Sequence, residues 1–211
     1  PEVKMLYNPQ MKGAYNFVPG VLGMIMILIC AMMTSIAIVR EKEMGTMEIL
    51  LVSPMKPIYI VLSKIAPYFV LSCINFATII LLSVFVLNVP VAGSFASLAV
   101  VSLIYIFVSL ALGLLISTLT SSQLAAMMIS GMALMIPVML LSGMIFPVEN
   151  MPTWLQWISN FVPARWYISA AKSIMIKGLG ITSVLKELSV LSVMGITLLL
   201  ISLKKFKIRL E

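Results

Sequence analysis

Charged side chains that could do polar chemistry are concentrated in one internal segment, residues 40–64. The segment opens with the run Arg40-Glu41-Lys42-Glu43 and continues through Glu48, Lys56 and Lys64. Interspersed acidic and basic groups suit ion pairing with a partner surface, because charges set the register of a docked helix. They do not suit acid–base catalysis or metal binding, since the whole sequence contains no His and no Asp.

Other reactive constellations are also missing from the sequence. No serine stands in a Gly-x-Ser-x-Gly setting, and no Gly-x-x-x-x-Gly-Lys-Ser/Thr phosphate-binding loop occurs. Cys30 and Cys73 both lie inside apolar runs, which is typical of small buried hydrophobic residues. We therefore predict no catalytic residue, no metal site and no cofactor bound by this chain, which would not hydrolyse ATP itself.

The composition indicates which kind of structure must position the charged segment. Of the 211 residues, 62% are hydrophobic and 10% are charged, whereas soluble domains have about 45–50% and 25%. So little polar surface excludes a soluble enzyme and a disordered chain. The net charge of +7 could suggest nucleic acid, but most basic residues flank apolar stretches, where they attract anionic lipid headgroups. We predict an integral membrane protein that binds membrane lipids and no nucleic acid.

Apolar stretches of about 20 residues predict spanning helices. No charged residue occurs from Ile65 to Val148, which leaves room for three or four spans. Together with the flanking stretches this predicts an all-α membrane protein with five spans, at about 18–39, 67–87, 95–119, 124–146 and 188–203. Pro137 lies inside the fourth span, where a proline usually kinks the helix.

The connecting segments carry their own signals. Met and Leu residues at three- and four-residue steps predict a short amphipathic helix at the start of 40–64, before a turn marked by Pro54 and Pro57. A second short helix is expected near 58–64. The segment 147–187 contains all three Trp residues, and Trp concentrates at membrane–water interfaces. The polar face from Arg165 to Ser173 predicts an interfacial helix there.

The basic C-terminus sets the expected topology. Four of the last eight residues are basic, and Lys and Arg are enriched in cytoplasmic segments. We therefore expect 40–64 and the C-terminus in the cytoplasm, with 147–187 outside, in a bacterial inner (plasma) membrane. The N-terminus then lies outside; since the chain begins with Pro1 rather than Met, we expect a truncated start and an upstream span.

The charged segment also carries a specific motif, and it resembles the first cytoplasmic loop of ABC type-2 transporter permeases. The family has an R-E-x-E-x-G-T-x-E-x-L-L-x-S/T-P-like stretch after a spanning helix. The residues that match it here are Arg40, Glu41, Glu43, Gly45, Thr46, Glu48, Leu50, Leu51, Ser53 and Pro54. The runs Val18-Pro19-Gly20 and 142–152 agree with the family too. The resemblance covers essentially all of 1–211, as a single permease domain.

The resemblance implies that 40–64 forms a coupling helix that docks on an ABC ATPase subunit, which would hold ATP and Mg. The residues it singles out are Arg40, Glu41, Glu43, Gly45, Thr46, Glu48 and Pro54. Gly45 would permit close backbone approach, and Pro54 would fix the exit angle. The alternative from charge pattern alone is a juxtamembrane helix that caps the span and contacts lipid headgroups.

The resemblance further implies short re-entrant helices within 147–177 that gate the outer exit. The candidate gate or interfacial residues are Glu149, Trp154, Trp157 and Arg165. A plain interfacial loop with belt aromatics is the alternative, and Glu149 and Arg165 could pair or simply face water.

Ser109, Gly113 and Ser117 form a small-xxx-small face on the third span, which allows close helix packing. Packing within the chain is one explanation of this face. Because the resemblance implies a dimer, a contact with a second permease subunit, identical or different, is the sharper hypothesis.

The function implied is a permease subunit of an ABC exporter that moves an amphiphilic, drug-like or lipid-like substrate out of the cytoplasm, powered by a separate ATPase subunit. The absence of buried charge suits such a substrate better than an ion. The alternatives are a non-transporting membrane anchor or regulatory subunit that docks an ATPase, a lipid-modifying enzyme and a passive channel.

Overall fold

The computed structural model describes residues 13–45, 57–89 and 91–208, and within these ranges the chain is helical without a strand. The helices are α1 Ala14–Glu43, α2 Pro57–Phe85, α3 Phe95–Leu119, α4 Gln123–Met128, α5 Leu134–Leu141, α6 Thr153–Ser159, α7 Pro163–Met175 and α8 Leu185–Ile208. In the described ranges, 5 segments are long and apolar enough to cross a membrane. The prediction of an all-α membrane protein with about five spans is confirmed.

The helices α1 and α3 form the centre of the bundle. They pack on each other, α2 and α4 pack on α1, and α8 packs on α3. Within its most apolar window α3 is 61% buried, whereas the span ending in α8 is 17% buried. The outer helices therefore direct most of their apolar side chains away from the protein, toward what would be lipid.

The two ends of the bundle differ in chemistry. The C-terminus of α1, the N-termini of α2 and α4 and the C-termini of α3 and α8 lie together at one end, which we call the Arg40 end. The opposite end carries α6 and α7 with all three Trp residues, and we call it the Trp end.

The fourth span is interrupted by a widened turn. A π-helical segment, Ile129–Ala133, joins α4 to α5. It directly precedes the helix that contains Pro137, whose ring has no N–H to donate to the Ala133 carbonyl. A widened turn is one way to absorb that missing bond. The helix then ends at Leu141, earlier than the predicted bound at 146.

Helix ends at charged residues extend beyond the predicted spans. Arg40–Glu43 forms the last turn of α1, and 57–64 forms the first turns of α2, so the second short helix expected near 58–64 is part of a span. The amphipathic helix predicted before Pro54 falls mostly on residues 46–53, which lie outside the described residues. Lys and Arg in a last helical turn interact favourably with the helix dipole, which lets α1 continue past Arg40. Likewise α8 begins at Leu185, before the predicted 188.

The segment between the last two spans contains α6, α7 and two 3₁₀ turns, Val148–Asn150 and Ile181–Val184. Helix α7 packs on α1, α3 and α8, and one of its faces is fully buried. The Met175 carbonyl accepts a hydrogen bond from the Ala92 N–H at 2.9 Å, which joins α7 to the loop before α3. The polar face predicted from Arg165 to Ser173 is the opposite, partly exposed side.

Candidate functional site

The candidate site begins at the C-terminal turn of α1. The Met44 N–H donates to the Arg40 carbonyl at 3.0 Å and the Gly45 N–H donates to the Lys42 carbonyl at 3.2 Å, which closes the helix. Gly45 has a φ of +71°, a left-handed conformation that glycine adopts without steric cost. The motif's glycine therefore ends the helix of the first span.

Glu41 joins α1 to α2. Its carboxylate lies 2.6 Å from the Lys64 ammonium, and the two side chains are 27% and 36% exposed. A partly exposed pair of this kind contributes about 0–1 kcal/mol. The ion pair mainly sets the relative position of two helices, because it holds the first turns of α2 against the last turn of α1.

Lys42 and Glu43 reach two further elements. Lys42 Nζ donates to the Ser117 carbonyl near the end of α3. Glu43 accepts from the Gln123 backbone N–H at 2.9 Å and from the Gln123 side-chain amide. A carboxylate at the N-terminus of α4 is favourable because the free N–H groups there carry partial positive charge.

Three consecutive side chains thus contact three different helices. Successive residues of an α-helix are rotated by about 100°, so Glu41, Lys42 and Glu43 point to different sides of α1. They meet α2, the end of α3 and the start of α4 respectively. Any displacement of the segment that follows Gly45 would act on these three helices through the end of α1.

The remaining predicted coupling residues divide into two groups. Arg40 is exposed, and its guanidinium has no hydrogen-bond or ion-pair partner among the described residues. Thr46, Glu48 and Pro54 lie outside the described residues.

The predicted outer residues lie at the Trp end. Trp154 and Trp157 on α6 are 63% and 71% exposed, as expected for interface aromatics. The Arg165 guanidinium donates to the Gln156 carbonyl at 2.9 Å and lies 5.5 Å from the Trp166 ring. Burial lowers the pKa of Arg165. Glu149 is exposed in a 3₁₀ turn and forms no ion pair with Arg165 among the described residues. Of the two alternatives for Glu149, pairing or facing water, the structure shows an exposed side chain.

Two contacts at this end escaped sequence reasoning. Lys172 Nζ donates to the Gly143 carbonyl at 2.9 Å, and Ser159 Oγ donates to the Leu141 carbonyl at 2.5 Å. Both acceptors lie at the C-terminal end of α5, where carbonyls lack helical partners. Burial lowers the pKa of Lys172. One basic residue on a polar helix face does not indicate which carbonyl it will bind, so the sequence does not predict this contact.

A stacked tyrosine pair ties α7 to the centre of the bundle. The Tyr105 and Tyr167 rings are 4.1 Å apart at their centroids and 6° from parallel. The Tyr105 hydroxyl donates to the Gly23 carbonyl at 2.9 Å, and the Tyr167 hydroxyl lies 3.0 Å from Ser102 Oγ. Both phenols are fully buried, so their hydroxyls need these partners.

The small-residue face of α3 packs within the chain. Ser109, Gly113 and Ser117 are buried. A Cβ at Gly113 would stand 2.6 Å from the Ala31 carbonyl oxygen of α1, closer than any real contact. Of the two alternatives for this face, the structure shows intramolecular packing.

No group of three or more His, Cys, Asp or Glu side chains within 13–45, 57–89 and 91–208 could hold a metal ion. Cys30 is buried, and its thiol donates to Ser72 Oγ at 3.0 Å. This thiol serves packing between α1 and α2.

Comparison with known proteins identifies the family. Residues 2–204 match the family described as ABC-2 family transporter protein. "Probable multidrug ABC transporter permease YbhS" of Escherichia coli K12 is 33% identical over 84% of this chain and 47% of its own length. YbhR, which carries the same description in that strain, is 33% identical over 83% of the chain and 47% of its length. "Inner membrane transport permease YhhJ" of the same strain is 29% identical over 98% of the chain and 55% of its length.

The chain spans about half the length of the curated relatives it matches. No solved structure matches it significantly. The spans, the motif at the end of α1 and these similarities agree, and the chain belongs to the ABC-2 transporter family.

Proposed function

We propose that this chain is part of the permease subunit of an ABC exporter that moves an amphiphilic, drug-like or lipid-like substrate out of the cytoplasm. Family membership and relatives described as multidrug permeases support the permease assignment. The spans support the substrate class, because no charged residue lies between Ile65 and Val148 to bind or relay an ion.

The observation that carries the proposal is that three consecutive residues of the motif contact three different helices. Glu41, Lys42 and Glu43 contact α2, α3 and α4, and the segment predicted to dock on an ATPase follows directly. The ATPase subunit holds ATP and Mg, and a second permease subunit completes the pathway. ATP binding closes the ATPases, displaces the coupling segments and shifts the spans between inward- and outward-open states.

The test of the ATPase contact is co-purification. The full-length protein is solubilised gently from its native host, as wild type and as the double variant Glu43→Lys with Glu48→Lys. We expect an ATPase subunit to co-purify with the wild type and to be lost from the double variant, because positive charge at both positions would repel a basic partner surface.

The matched control makes the same change of charge at the Trp end, with Glu149→Lys and Glu187→Lys. This control should retain the ATPase. The absence of an ATPase from the wild-type preparation, or equal loss in both double variants, would contradict a specific contact at 40–64.

The test of transport uses the reconstituted complex in proteoliposomes. We expect ATP-dependent movement of an amphiphilic dye and stimulation of ATPase activity by that dye. A docked ATPase with neither effect would favour the non-transporting anchor. A stoichiometric ion flux would contradict the proposed substrate class.

A further inference from the structure

A cleft opens at the Arg40 end between α1, α2 and the start of α4. Its volume is about 390 Å³, within the range of small-molecule sites. The charged and polar part of its lining comes from Arg40, Glu41, Lys64 and Gln123. Because these residues stand where the spans leave the apolar part of the sequence, the cleft lies at the level of the lipid headgroups.

The charge of the cleft favours an anion. Glu41 is neutralised by Lys64 at 2.6 Å. Two basic residues line the cleft, and of these Arg40 is the one whose side chain has no partner among the described residues. A guanidinium offers parallel N–H donors that match phosphate oxygens in a two-point contact.

The deeper part of the cleft is apolar. Met33, Ile36 and Ala37 line it on the same face of α1 as Arg40. Met33 lies seven residues before Arg40, about 10 Å deeper along the helix axis, and it is 44% exposed. A ligand that fits must be anionic at one end and apolar about 10 Å further in.

We propose that this cleft binds an anionic phospholipid, with the headgroup phosphate at Arg40 and the start of an acyl chain along Met33, Ile36 and Ala37. The site would bind this lipid without ATP, and it does not require that the lipid be the transported substrate. It is therefore independent of the proposed transport.

The experiment measures lipid binding by native mass spectrometry of the full-length protein in detergent, titrated with phosphatidylglycerol, with phosphatidylcholine or with inorganic phosphate. We expect one phosphatidylglycerol to bind more tightly than the others do. Arg40→Gln should weaken it about tenfold, the loss expected for one charge-assisted contact. Lys204→Gln removes the same charge from an exposed position on α8 at the same end, and should leave binding unchanged.

A second variant tests the apolar half without changing the charge. Ala37→Trp fills the deeper part of the cleft and should also displace phosphatidylglycerol, provided that thermal unfolding shows a folded protein. Binding that Arg40→Gln and Ala37→Trp both leave unchanged would overturn the proposal. Equal affinity for phosphatidylcholine would also overturn it. So would competition by inorganic phosphate at the same concentration as the lipid, because that result would indicate a site for free anions.

Discussion

Tyr167 carries a hydroxyl into the fully buried centre of the bundle, where Ser102 Oγ is 3.0 Å away. Tyr167→Phe keeps the stacked ring and removes the hydroxyl, leaving Ser102 with one partner fewer. We expect the free energy of unfolding to fall by about 1 kcal/mol, measured by thermal unfolding in detergent. Tyr59→Phe, at a position 58% exposed, is the control and should change nothing. Equal stability of the two variants would contradict this role.

Glu43 is expected to act through its hydrogen bonds to Gln123. Glu43→Gln keeps an acceptor oxygen for the Gln123 N–H, whereas Glu43→Ala removes it. We expect Glu43→Ala to slow ATP-dependent transport severalfold while the ATPase still co-purifies, and Glu43→Gln to retain most of the rate. If both variants transport like the wild type, the contact does not transmit motion.

At the scale of single residues, sequence patterns identified the charged motif but not its partners. Arg40, Glu41 and Glu43 were singled out from the motif, yet Lys64, Ser117 and Gln123 lie 23 to 80 positions away in the chain. Such pairings depend on how spans pack, and a single sequence read by itself carries no measure of that packing.

The contact between α1 and α3 depends on Gly113. A Cβ there would stand 2.6 Å from the Ala31 carbonyl oxygen and 2.9 Å from its Cα. These are backbone atoms, so the two helices would have to separate. We expect Gly113→Ala to destabilise the protein by about 1–3 kcal/mol, measured by thermal unfolding.

Gly131→Ala is the matched control for this change. Gly131 lies in the π segment, and a Cβ there meets nothing within 4 Å. Its unfolding temperature should stay near that of the wild type. If Gly131→Ala lost as much stability as Gly113→Ala, close approach of α1 and α3 would not be the cause.

The end of α5 depends on Lys172, which donates to the Gly143 carbonyl. Lys172→Met keeps the apolar stem and leaves that carbonyl without its donor. We expect a loss of about 1–2 kcal/mol, with faster proteolysis of 142–152 than in the wild type. Lys177→Met, at an exposed position, is the control. Unchanged proteolysis in Lys172→Met would show that other contacts hold this turn.

The existence of each long helix followed from apolar length, but two features of the elements did not. Pro137 predicts a kink in the fourth span, but not that the kink takes the form of a π segment at Ile129–Ala133. The burial of one face of α7 depends on α1 and α3, while its own sequence is equally compatible with a helix lying in the interface.

For the molecule as a whole, the expected orientation can be tested by cysteine labelling. Cys30→Ser and Cys73→Ser supply the background, since a serine hydroxyl at 30 can still donate to Ser72. In intact cells a membrane-impermeant maleimide should label Asn160→Cys, and it should label Ser121→Cys only after permeabilisation. Both positions are exposed. The basic residues beside the C-terminus predict that the end of the bundle that carries Ser121 faces the cytoplasm. The reverse pattern would invert the topology.

The central position of α7 has a consequence for biosynthesis. Helices α1 and α3 leave the ribosome before α7, and their contact includes the Tyr105 hydroxyl bound to the Gly23 carbonyl. The surface they present to Tyr167 stays open until 163–175 has been synthesised. The early spans therefore enter the bilayer with an incomplete core, and a ribosome stalled between 120 and 160 would leave a nascent chain that quality-control proteases can recognise.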